Sequence, residues 1–379
     1  MPSVFALYDF LNKKKPPPSP LPCKHCGRTD RLLSARLGYC AACIRSHFPQ
    51  IWPEIESRHL ESRRAFNLPL APPRDPQGKA CTLCFHACRI PEGGYGYCGA
   101  RRVEGGVLRG GTATGAGLSY YYDPLPTNCV ADWFCPGGTG AGYPAYACRP
   151  GPEHGYENLA VFYHACNFNC LYCQNWTFKQ TTFTGDKVSA SKLAAAVRPK
   201  TTCICNFGGD PTPQLPHALA AVRQAGRRLR ICWETNGAMQ PQWLKALVAA
   251  SLANGGVIKV DLKAFSEEMH LALCGVSNRQ TLQNFATLAP YLGMRPEVPL
   301  LCASTLLVPG YVDLEEIHGI ARFISTLNPD IPYSLLGFSP HFVLNDLPTT
   351  SRDFALKAQL VAREAGVKRV QLGNFHLLA

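Results

Sequence analysis

The sequence has few charged residues and no long apolar run. Charged residues fill 17% of the 379 positions and hydrophobic residues 46%, so a buried core is expected rather than disorder. No run of 18 apolar residues occurs, and such a run is what a membrane-spanning helix needs. The N-terminus has a short apolar stretch followed by lysines, the reverse of a secretory signal. These features predict a cytoplasmic protein of two or three domains.

Cysteine and basic residues are plentiful instead. The 19 cysteines fall in close sets, and in a reducing cytosol such sets are more often metal ligands than disulfides. The net charge is +12, and residues 1–150 contain 18 of the 38 basic residues but only 10 of the 26 acidic ones. This excess permits an anionic partner such as nucleic acid, although a solvated basic surface is the simpler interpretation without an RNA-binding signature.

Composition divides the chain into three predicted regions. Residues 1–68 form a cysteine-bearing module and a helix, with the helix over 50–68, and the proline-rich stretches 13–22 and 69–79 read as linkers. Residues 69–152 are rich in glycine and cysteine. Residues 153–379 alternate short apolar runs with helical patterns.

This alternation predicts an α/β domain of parallel βα units. About six or seven units suggest a partial TIM-like (β/α)6 barrel, with an open doubly wound sheet as the alternative. The predicted strands are 159–163, 203–207, 229–233, 257–262, 304–308, 333–337 and 369–372, and the predicted helices are 190–197, 216–225, 241–251, 282–292, 314–327 and 353–365.

Polar residues follow several of these strands. Gly208-Gly209-Asp210-Pro211 follows the second strand, Thr235 and Asn236 follow the third, and Asp261 and Lys263 lie at the end of the fourth. The carboxyl ends of barrel strands are where active sites are built, although βα loops are often polar for no functional reason. Asp261 and Lys263 are two residues apart, so both point into the barrel, either as functional groups or as a structural ion pair.

The sharpest motif is C-x3-C-x2-C, formed by Cys166, Cys170 and Cys173 (the loop cysteines). Three thiolates on one loop hold three irons of a four-iron cluster and leave the fourth iron open. A zinc site is the alternative, and it would need a fourth ligand such as His164.

The loop CNFNCLYCQNW, residues 166–176, resembles the cluster loop of radical S-adenosylmethionine (SAM) enzymes. It is most similar to the branch of pyruvate formate-lyase activating enzymes, which includes proteins of the AmmeMemoRadiSam type. Segments 81–102, 305–310, 340–350 and 366–374 are also similar to this branch, so the resemblance covers about residues 80–376.

The resemblance implies a radical SAM barrel with a [4Fe-4S] cluster on the loop cysteines. It also implies that Gly208-Gly209-Asp210-Pro211 is the motif that holds the methionyl amino group, with Asp where the family has Glu. The implied contacts to SAM come from Tyr172, Gly208, Gly209, Asp210, Thr235 and Asn236, and the implied catalytic pair is Asp261 and Lys263. His341, on a late loop, is a candidate to face the substrate.

The implied activity is reductive cleavage of SAM to a 5′-deoxyadenosyl radical that abstracts hydrogen from a substrate. A flavodoxin- or ferredoxin-type donor would supply one electron. The target is either a glycine on a partner protein or a small molecule or residue modified directly. A metal-dependent nucleic-acid-binding or RNA-modifying protein is the alternative from another class.

Two further cysteine sets precede the barrel. Cys23, Cys26, Cys40 and Cys43 (the ribbon cysteines) form paired C-x2-C elements that predict a zinc ribbon, with a rubredoxin-like iron or a cluster as the alternative. Cys81, Cys84, Cys88 and Cys98 (the middle cysteines) predict a closed site for zinc or a second iron-sulfur cluster.

The other cysteines carry weaker signals. Cys129, Cys135 and Cys148 read as ligands of another cluster, as substrate-contacting thiols or as scattered buried residues. We expect core positions for Cys203, Cys205, Cys232, Cys274 and Cys302, which lie in or near apolar strands and helices.

Overall fold

The computed structural model describes residues 19–226 and 229–379. The predicted linker 13–22 therefore lies mostly outside the described residues. Its last two residues form a short strand rather than a free linker. The strands are β1 (Leu21–Pro22), β2 (Thr29–Asp30), β3 (Lys79–Ala80), β4 (Arg89–Ile90), β5 (Arg102–Glu104), β6 (Val107–Arg109), β7 (Ala116–Pro124), β8 (Glu157–Tyr163), β9 (Lys187–Val188), β10 (Thr201–Gly208), β11 (Arg230–Thr235), β12 (Ile258–Asp261), β13 (Leu301–Leu307), β14 (Tyr333–Gly337) and β15 (Val370–Gly373).

Helices alternate with the later strands. The α-helices are α1 (Ala41–Ser46), α2 (Phe48–Arg64), α3 (Pro136–Thr139), α4 (Phe178–Thr181), α5 (Ala190–Ala195), α6 (Leu215–Ala225), α7 (Leu244–Ser251), α8 (Glu267–Cys274), α9 (Arg279–Leu288), α10 (Leu314–Leu327) and α11 (Arg352–Glu364). Short 3₁₀ helices cover Thr212–Gln214, Pro241–Trp243, Leu252–Asn254, Ala289–Met294, Phe342–Leu344 and Phe375–Leu377.

The centre of the fold is a nine-stranded sheet with the order β15-β14-β13-β12-β11-β10-β8-β7-β9. All seven predicted strands are confirmed within a few residues, and they pair in parallel from β8 to β15. The parallel part has one strand more than a (β/α)6 unit. Within the described chain the two ends of the sheet do not pair with each other, so it is an open, partial barrel.

The six helices predicted after residue 153 are also present, because their sequences have one apolar face. In α10, for example, Ile317, Ile320 and Ile324 are fully buried, and the Asp313 side chain caps the helix by accepting from the Glu316 amide. The longest of the elements that were not predicted are the strand β7, with nine residues, and the helix α8, with eight.

The N-terminal module packs against the barrel and shares its core. Ile44, Ile51 and Ile55 of α1 and α2 are buried in the main hydrophobic core. The Ser34 amide donates to the Tyr311 hydroxyl over 2.9 Å, and Arg45 forms an ion pair with Asp313 at 2.7 Å. The module is therefore anchored on the loops that follow β13.

The middle region is built from short antiparallel pairs. β3 pairs with β4 and β5 with β6, each over two or three residues. These pairs enclose a small core of their own. β7 then joins the main sheet along β8.

Candidate active site

The loop cysteines lie at the carboxyl end of β8. The Asn169 amide donates to the Cys274 carbonyl over 3.0 Å, and the Leu171 amide donates to the Leu273 carbonyl over 2.9 Å, so the end of α8 holds the loop. The Phe168 amide donates to the Cys166 sulfur over 3.3 Å. This turn brings all three thiols to one side of a cavity.

The cavity brings together the residues that the sequence singled out at the ends of three other strands. Besides the loop cysteines, its wall includes Tyr172, Gly208, Gly209, Asp210, Thr235, Asn236, Asp261 and Lys263. The positions expected to bind the cofactor and those expected to be catalytic thus face one space.

The two glycines after β10 allow this strand to approach the loop that leads to Cys166. The Gly209 amide donates to the Tyr163 carbonyl over 2.8 Å, and the Asp210 amide donates to the Ala165 carbonyl over 2.7 Å. A Cβ atom on Gly209 would lie 2.3 Å from the Ala165 oxygen. The amides of Gly209 and Asp210 are therefore used within the protein.

The Asp210 carboxylate joins two loops rather than pointing to solvent. It accepts from the Asn236 amide over 2.7 Å, from the Thr212 amide over 2.8 Å and from the Thr235 hydroxyl over 3.1 Å. Burial raises the pKa of Asp210, and these hydrogen bonds oppose the shift. The side chain fixes the loop after β11.

Asp261 and Lys263 form an ion pair at the cavity wall. The Lys263 ammonium lies 2.8 Å from one Asp261 oxygen, and the Ser304 hydroxyl donates to the other over 2.6 Å. Burial lowers the pKa of Lys263, but the negative charges of Asp261, Cys170 and Cys274 outweigh it and hold this pKa well above its usual range.

Cys274 lies at this site as well as in the core. It is fully buried, as the sequence predicts, but it also hydrogen-bonds with Cys170, and its sulfur is 3.7 Å from the Tyr172 hydroxyl. The apolar sequence around it gave no signal of this contact.

Lys179 and Asn167 were also missed by the sequence analysis. Lys179 is buried, lines the cavity and donates to the Asn169 side chain over 2.9 Å. Burial lowers the pKa of Lys179 to about 8. The Asn167 side chain accepts from the Asn236 amide group over 2.7 Å, and its own buried NH₂ has no acceptor in the described chain. Lys179 lies on α4 and had no motif to mark it.

The two candidate histidines lie elsewhere. His164 interacts with the Ser119 hydroxyl over 3.2 Å and lines a different cavity beside Lys187, so it does not complete a metal site with the loop cysteines. His341 contacts the Ser339 carbonyl over 3.0 Å and is not among the residues that line the cavity.

The ribbon cysteines form a compact group. All four sulfur atoms lie within 4.8 Å of one another, and those of Cys26 and Cys40 are 3.9 Å apart. Zinc-sulfur bonds of about 2.3 Å in a tetrahedron place sulfurs about 3.8 Å apart. This set is able to bind a metal ion.

The middle cysteines are neighbours but are spread more widely. Cys81 and Cys88 pack in one core with Leu83, Ile90 and Tyr97. Burial raises the pKa of Cys84, and the charges of Cys98, Cys81 and Cys88 raise it further. In the described chain, no three sulfurs of this set, nor the three of the loop cysteines, lie within 4.8 Å of one another.

The remaining cysteines surround a buried lysine inside the sheet. The Lys259 ammonium is 3.0 Å from the Cys129 sulfur, 3.2 Å from the Cys205 sulfur and 2.5 Å from a Glu234 oxygen. Cys135, Cys203 and Cys232 line the adjoining cavity, and Cys302 is fully buried. Cys148 is exposed, and its amide donates to Glu153.

These features define an α/β protein with a cysteine-lined cavity at the carboxyl edge of its sheet. Residues 160–324 match the family model of the Radical SAM superfamily. This part of the chain, from β8 into α10, is therefore similar to the radical SAM domain. Among the described helices, none has the length and apolarity to cross a membrane.

Several known proteins are similar to parts of the chain. An uncharacterised protein of Methanocaldococcus jannaschii is 26% identical over 78% of this chain and 80% of its own length. A second protein of that organism, provisionally named a glycyl-radical enzyme activating enzyme, is 28% identical over 54% of this chain and 77% of its own. A solved domain of a pyruvate-formate lyase-activating enzyme from Bacteroides vulgatus is 19% identical, with a TM-score of 0.36, over 46% of this chain and 99% of that domain.

Proposed function

We propose that the chain is a radical SAM enzyme whose loop cysteines hold a [4Fe-4S] cluster. When bound, this cluster and SAM supply a 5′-deoxyadenosyl radical that removes a hydrogen atom from a substrate. The observation that carries the proposal is the single cavity shared by the loop cysteines and the polar residues at the ends of three strands, β10, β11 and β12.

The residues of the cavity suit an anionic cluster. The unpaired NH₂ group of Asn167 is buried next to Cys166, and the Asn236 NH₂ group lies 3.8 Å from the Cys166 sulfur, so both are available as donors to sulfur. Lys179 and Lys263 supply positive charge on the same wall. Three chain thiolates leave one iron position free for a small molecule.

The residues after β10 and β11 suit the amino acid part of SAM. Because the amides of Gly209 and Asp210 are occupied and the Gly208 carbonyl already accepts from the Asn175 side chain over 3.1 Å, the Gly209 carbonyl oxygen is the group that suits a donor such as the methionyl amino group. Asp210 acts as a positioning residue that holds Thr235 and Asn236 at the cavity. Tyr172 also lines the cavity, and we place the adenine beside it.

Asp261 and Lys263 stand where the radical would meet the substrate. Their ion pair lines the cavity, with Asp261 the more exposed partner, so a substrate that displaced either partner would meet a charged group. We propose that this pair orients the reacting group.

We infer that the target is a glycine on a partner protein. A relative that the chain matches over 77% of that relative's length is provisionally named a glycyl-radical enzyme activating enzyme. A flavodoxin- or ferredoxin-type protein would act as the electron donor. The ribbon cysteines would hold a structural zinc ion, because their spacing is that of one tetrahedral ion.

The test is anaerobic reconstitution with iron and sulfide, followed by reduction with dithionite in the presence of SAM. The protein should form 5′-deoxyadenosine, and replacing the loop cysteines together by alanine should abolish this product. Cys148→Ala is the matched control, because this exposed thiol lies outside the cavity. Continued cleavage of SAM by the triple variant would contradict the proposal.

A further inference from the structure

We propose that the middle cysteines hold a second iron-sulfur cluster, through which electrons enter the site of the loop cysteines. The inference builds on the proposed function. It assigns a cofactor class and a route of reduction to a part of the chain that lies before the radical SAM domain.

The module around the middle cysteines is too small to be stable through its apolar core alone. Its strands have two or three residues each, and its core contains six buried residues, two of them cysteines. Besides packing on a neighbouring domain, modules of this size commonly use a disulfide or a metal centre. All 19 cysteines are unpaired, so a metal centre is the cross-link that these four thiols offer.

The spacing of the thiols favours a cluster over a single ion. One zinc ion holds its thiolates about 3.8 Å apart, and the ribbon cysteines are gathered in this way. The middle cysteines share a core, yet no three of their sulfurs in the described chain come within 4.8 Å of one another, and the loop cysteines have the same wider spacing. A four-iron cluster binds each thiolate through a different iron and so holds them further apart than one ion does.

The module touches both loops that form the cofactor cavity. His86, which lies between Cys84 and Cys88, contacts the Asn167 carbonyl over 2.8 Å, and Asn167 directly follows Cys166. The Phe85 ring meets the Phe168 ring edge-on, with 6.1 Å between their centroids. A path of a few bonds and one hydrogen bond therefore joins the two cysteine sets.

The loop after β11 is held by the same module. The Phe85 amide donates to the Ala238 carbonyl over 3.1 Å, and the Gln240 amide donates to the Leu83 carbonyl over 2.9 Å. The Trp243 indole donates to the Thr82 carbonyl over 2.8 Å. A metal centre here is thus rigidly coupled to the cavity.

The surface of this module suits an acidic electron donor. Residues 74–109 contain six basic and three acidic residues, and Lys79, Arg89 and Arg109 are exposed basic positions. Opposite charge on a partner speeds association and makes it sensitive to salt.

The electron balance of the relay is simple. The donor is oxidised by one electron, the centre on the middle cysteines gains that electron and then passes it to the iron held by the loop cysteines. No bond forms or breaks in the chain, and no proton is required. The reduced flavodoxin- or ferredoxin-type donor is the only co-reactant.

The first experiment counts metals and records electron paramagnetic resonance spectra. After anaerobic loading, the triple alanine variant of the loop cysteines should keep about four irons per chain and a reducible signal. Adding Cys84→Ser and Cys88→Ser should remove both and leave the zinc of the ribbon. A triple variant with no iron, or with two zinc ions, would overturn the proposal.

A second variant tests the proposal independently, in case the triple variant does not fold. Cys84→Ser with Cys88→Ser alone should lower the wild-type iron content by about half. If it leaves the iron content unchanged, the middle cysteines hold no cluster. If instead the triple alanine variant retains all of the wild-type iron, it is the proposed function of the loop cysteines that fails.

The relay itself is tested with two reductants. In the Cys84→Ser and Cys88→Ser variant, SAM cleavage driven by reduced flavodoxin should fall roughly tenfold or more, whereas cleavage driven by dithionite, which reaches the cavity directly, should persist. Cys148→Ser is the control for both reductants. If SAM cleavage fell equally with both reductants, the metal centre would only stabilise the loops. That result would overturn the proposed electron relay.

Discussion

Asp210 is the residue that joins the loops after β10 and β11. Its carboxylate accepts hydrogen bonds from the Thr212 and Asn236 amides and from the Thr235 hydroxyl, all of them buried. Asp210→Ala leaves these donors unsatisfied. Since a hydrogen bond to a charged group is worth about 1.5–3 kcal/mol, we expect SAM affinity to fall roughly tenfold to a hundredfold.

Isothermal titration of cluster-loaded protein with SAM measures this change. Asp210→Asn is the matched control, because it keeps an acceptor oxygen and should retain most of the affinity. Equal affinities of the alanine variant and the wild type would show that Asp210 does not position the loop.

Gly209 is also constrained by packing within the chain. A Cβ atom there would lie 2.3 Å from the carbonyl oxygen of Ala165, one residue before Cys166. We therefore expect Gly209→Ala to lower both the iron content and the affinity for SAM. Gly151→Ala is the control, since a Cβ atom there has no neighbour within 4 Å. Normal iron content with weak SAM binding would show instead that the glycine only admits the cofactor.

Among individual residues, the sequence predicted those candidate site residues that lie close together in one loop. The loop cysteines and the Gly208–Pro211 motif could be read because the chemistry requires them at short spacing. Lys179, Cys274 and Asn167 could not, since their contacts depend on where α4 and α8 pack. An apolar neighbourhood made Cys274 look like a core residue only.

Among the helices and strands, the parallel strands were the easiest to predict from the sequence. They are buried on both faces, so their sequences are short apolar runs bounded by helical patterns. β7 was not predicted because the second half of the strand is partly exposed and lacks a continuous apolar run. Its run of tyrosines also follows a glycine-rich stretch. α8 has only eight residues, too few for a periodic pattern to stand out.

One buried ion pair ties the segment before β8 to the sheet. Glu153 is fully buried and pairs with Arg230 of β11, and it also accepts from the Thr202 hydroxyl over 2.8 Å. Glu153→Gln leaves the buried Arg230 charge with neutral acceptors only, the Tyr146 carbonyl and the Thr202 hydroxyl, and no opposite charge. We expect the free energy of unfolding to fall by about 3–5 kcal/mol.

Urea unfolding at constant metal loading measures this loss. Asp353→Asn serves as the control, because it breaks the exposed pair between Asp353 and Lys357, which adds little to stability. If the two variants unfold at the same urea concentration, the buried pair does not anchor the segment.

On the scale of the whole molecule, composition separated three regions that the structure packs together. His59 of α2 shows why this packing could not be read from the sequence. Its ring contacts the Asn169 carbonyl in the loop of the cysteines and the Ala272 carbonyl of α8, residues more than a hundred positions away. Only the folded chain brings these partners to an otherwise ordinary helical histidine.

Buried histidines also set the response of the molecule to acid. Burial lowers the pKa of His59 and of His270 to about 4, below their usual value of 6.5. Between these values the unfolded chain binds protons that the folded chain does not, so stability is lost as the pH falls from about 6.5 towards 4. Each such histidine steepens this loss by about 1.4 kcal/mol per pH unit.

His270→Asn tests this prediction on metal-loaded protein. His270 Nδ1 donates to the Val276 carbonyl over 2.6 Å, and an asparagine amide can replace that donor without a titrating group. Near the ring, the charge of Lys263 lowers the pKa further and that of Glu267 raises it. Between pH 6.5 and pH 4 the free energy of unfolding should therefore fall less steeply in the variant than in the wild type. The two slopes should differ by about 1.4 kcal/mol per pH unit, and above pH 7 the two curves should be parallel. Parallel curves across the acid range would mean that His270 titrates normally in the folded protein.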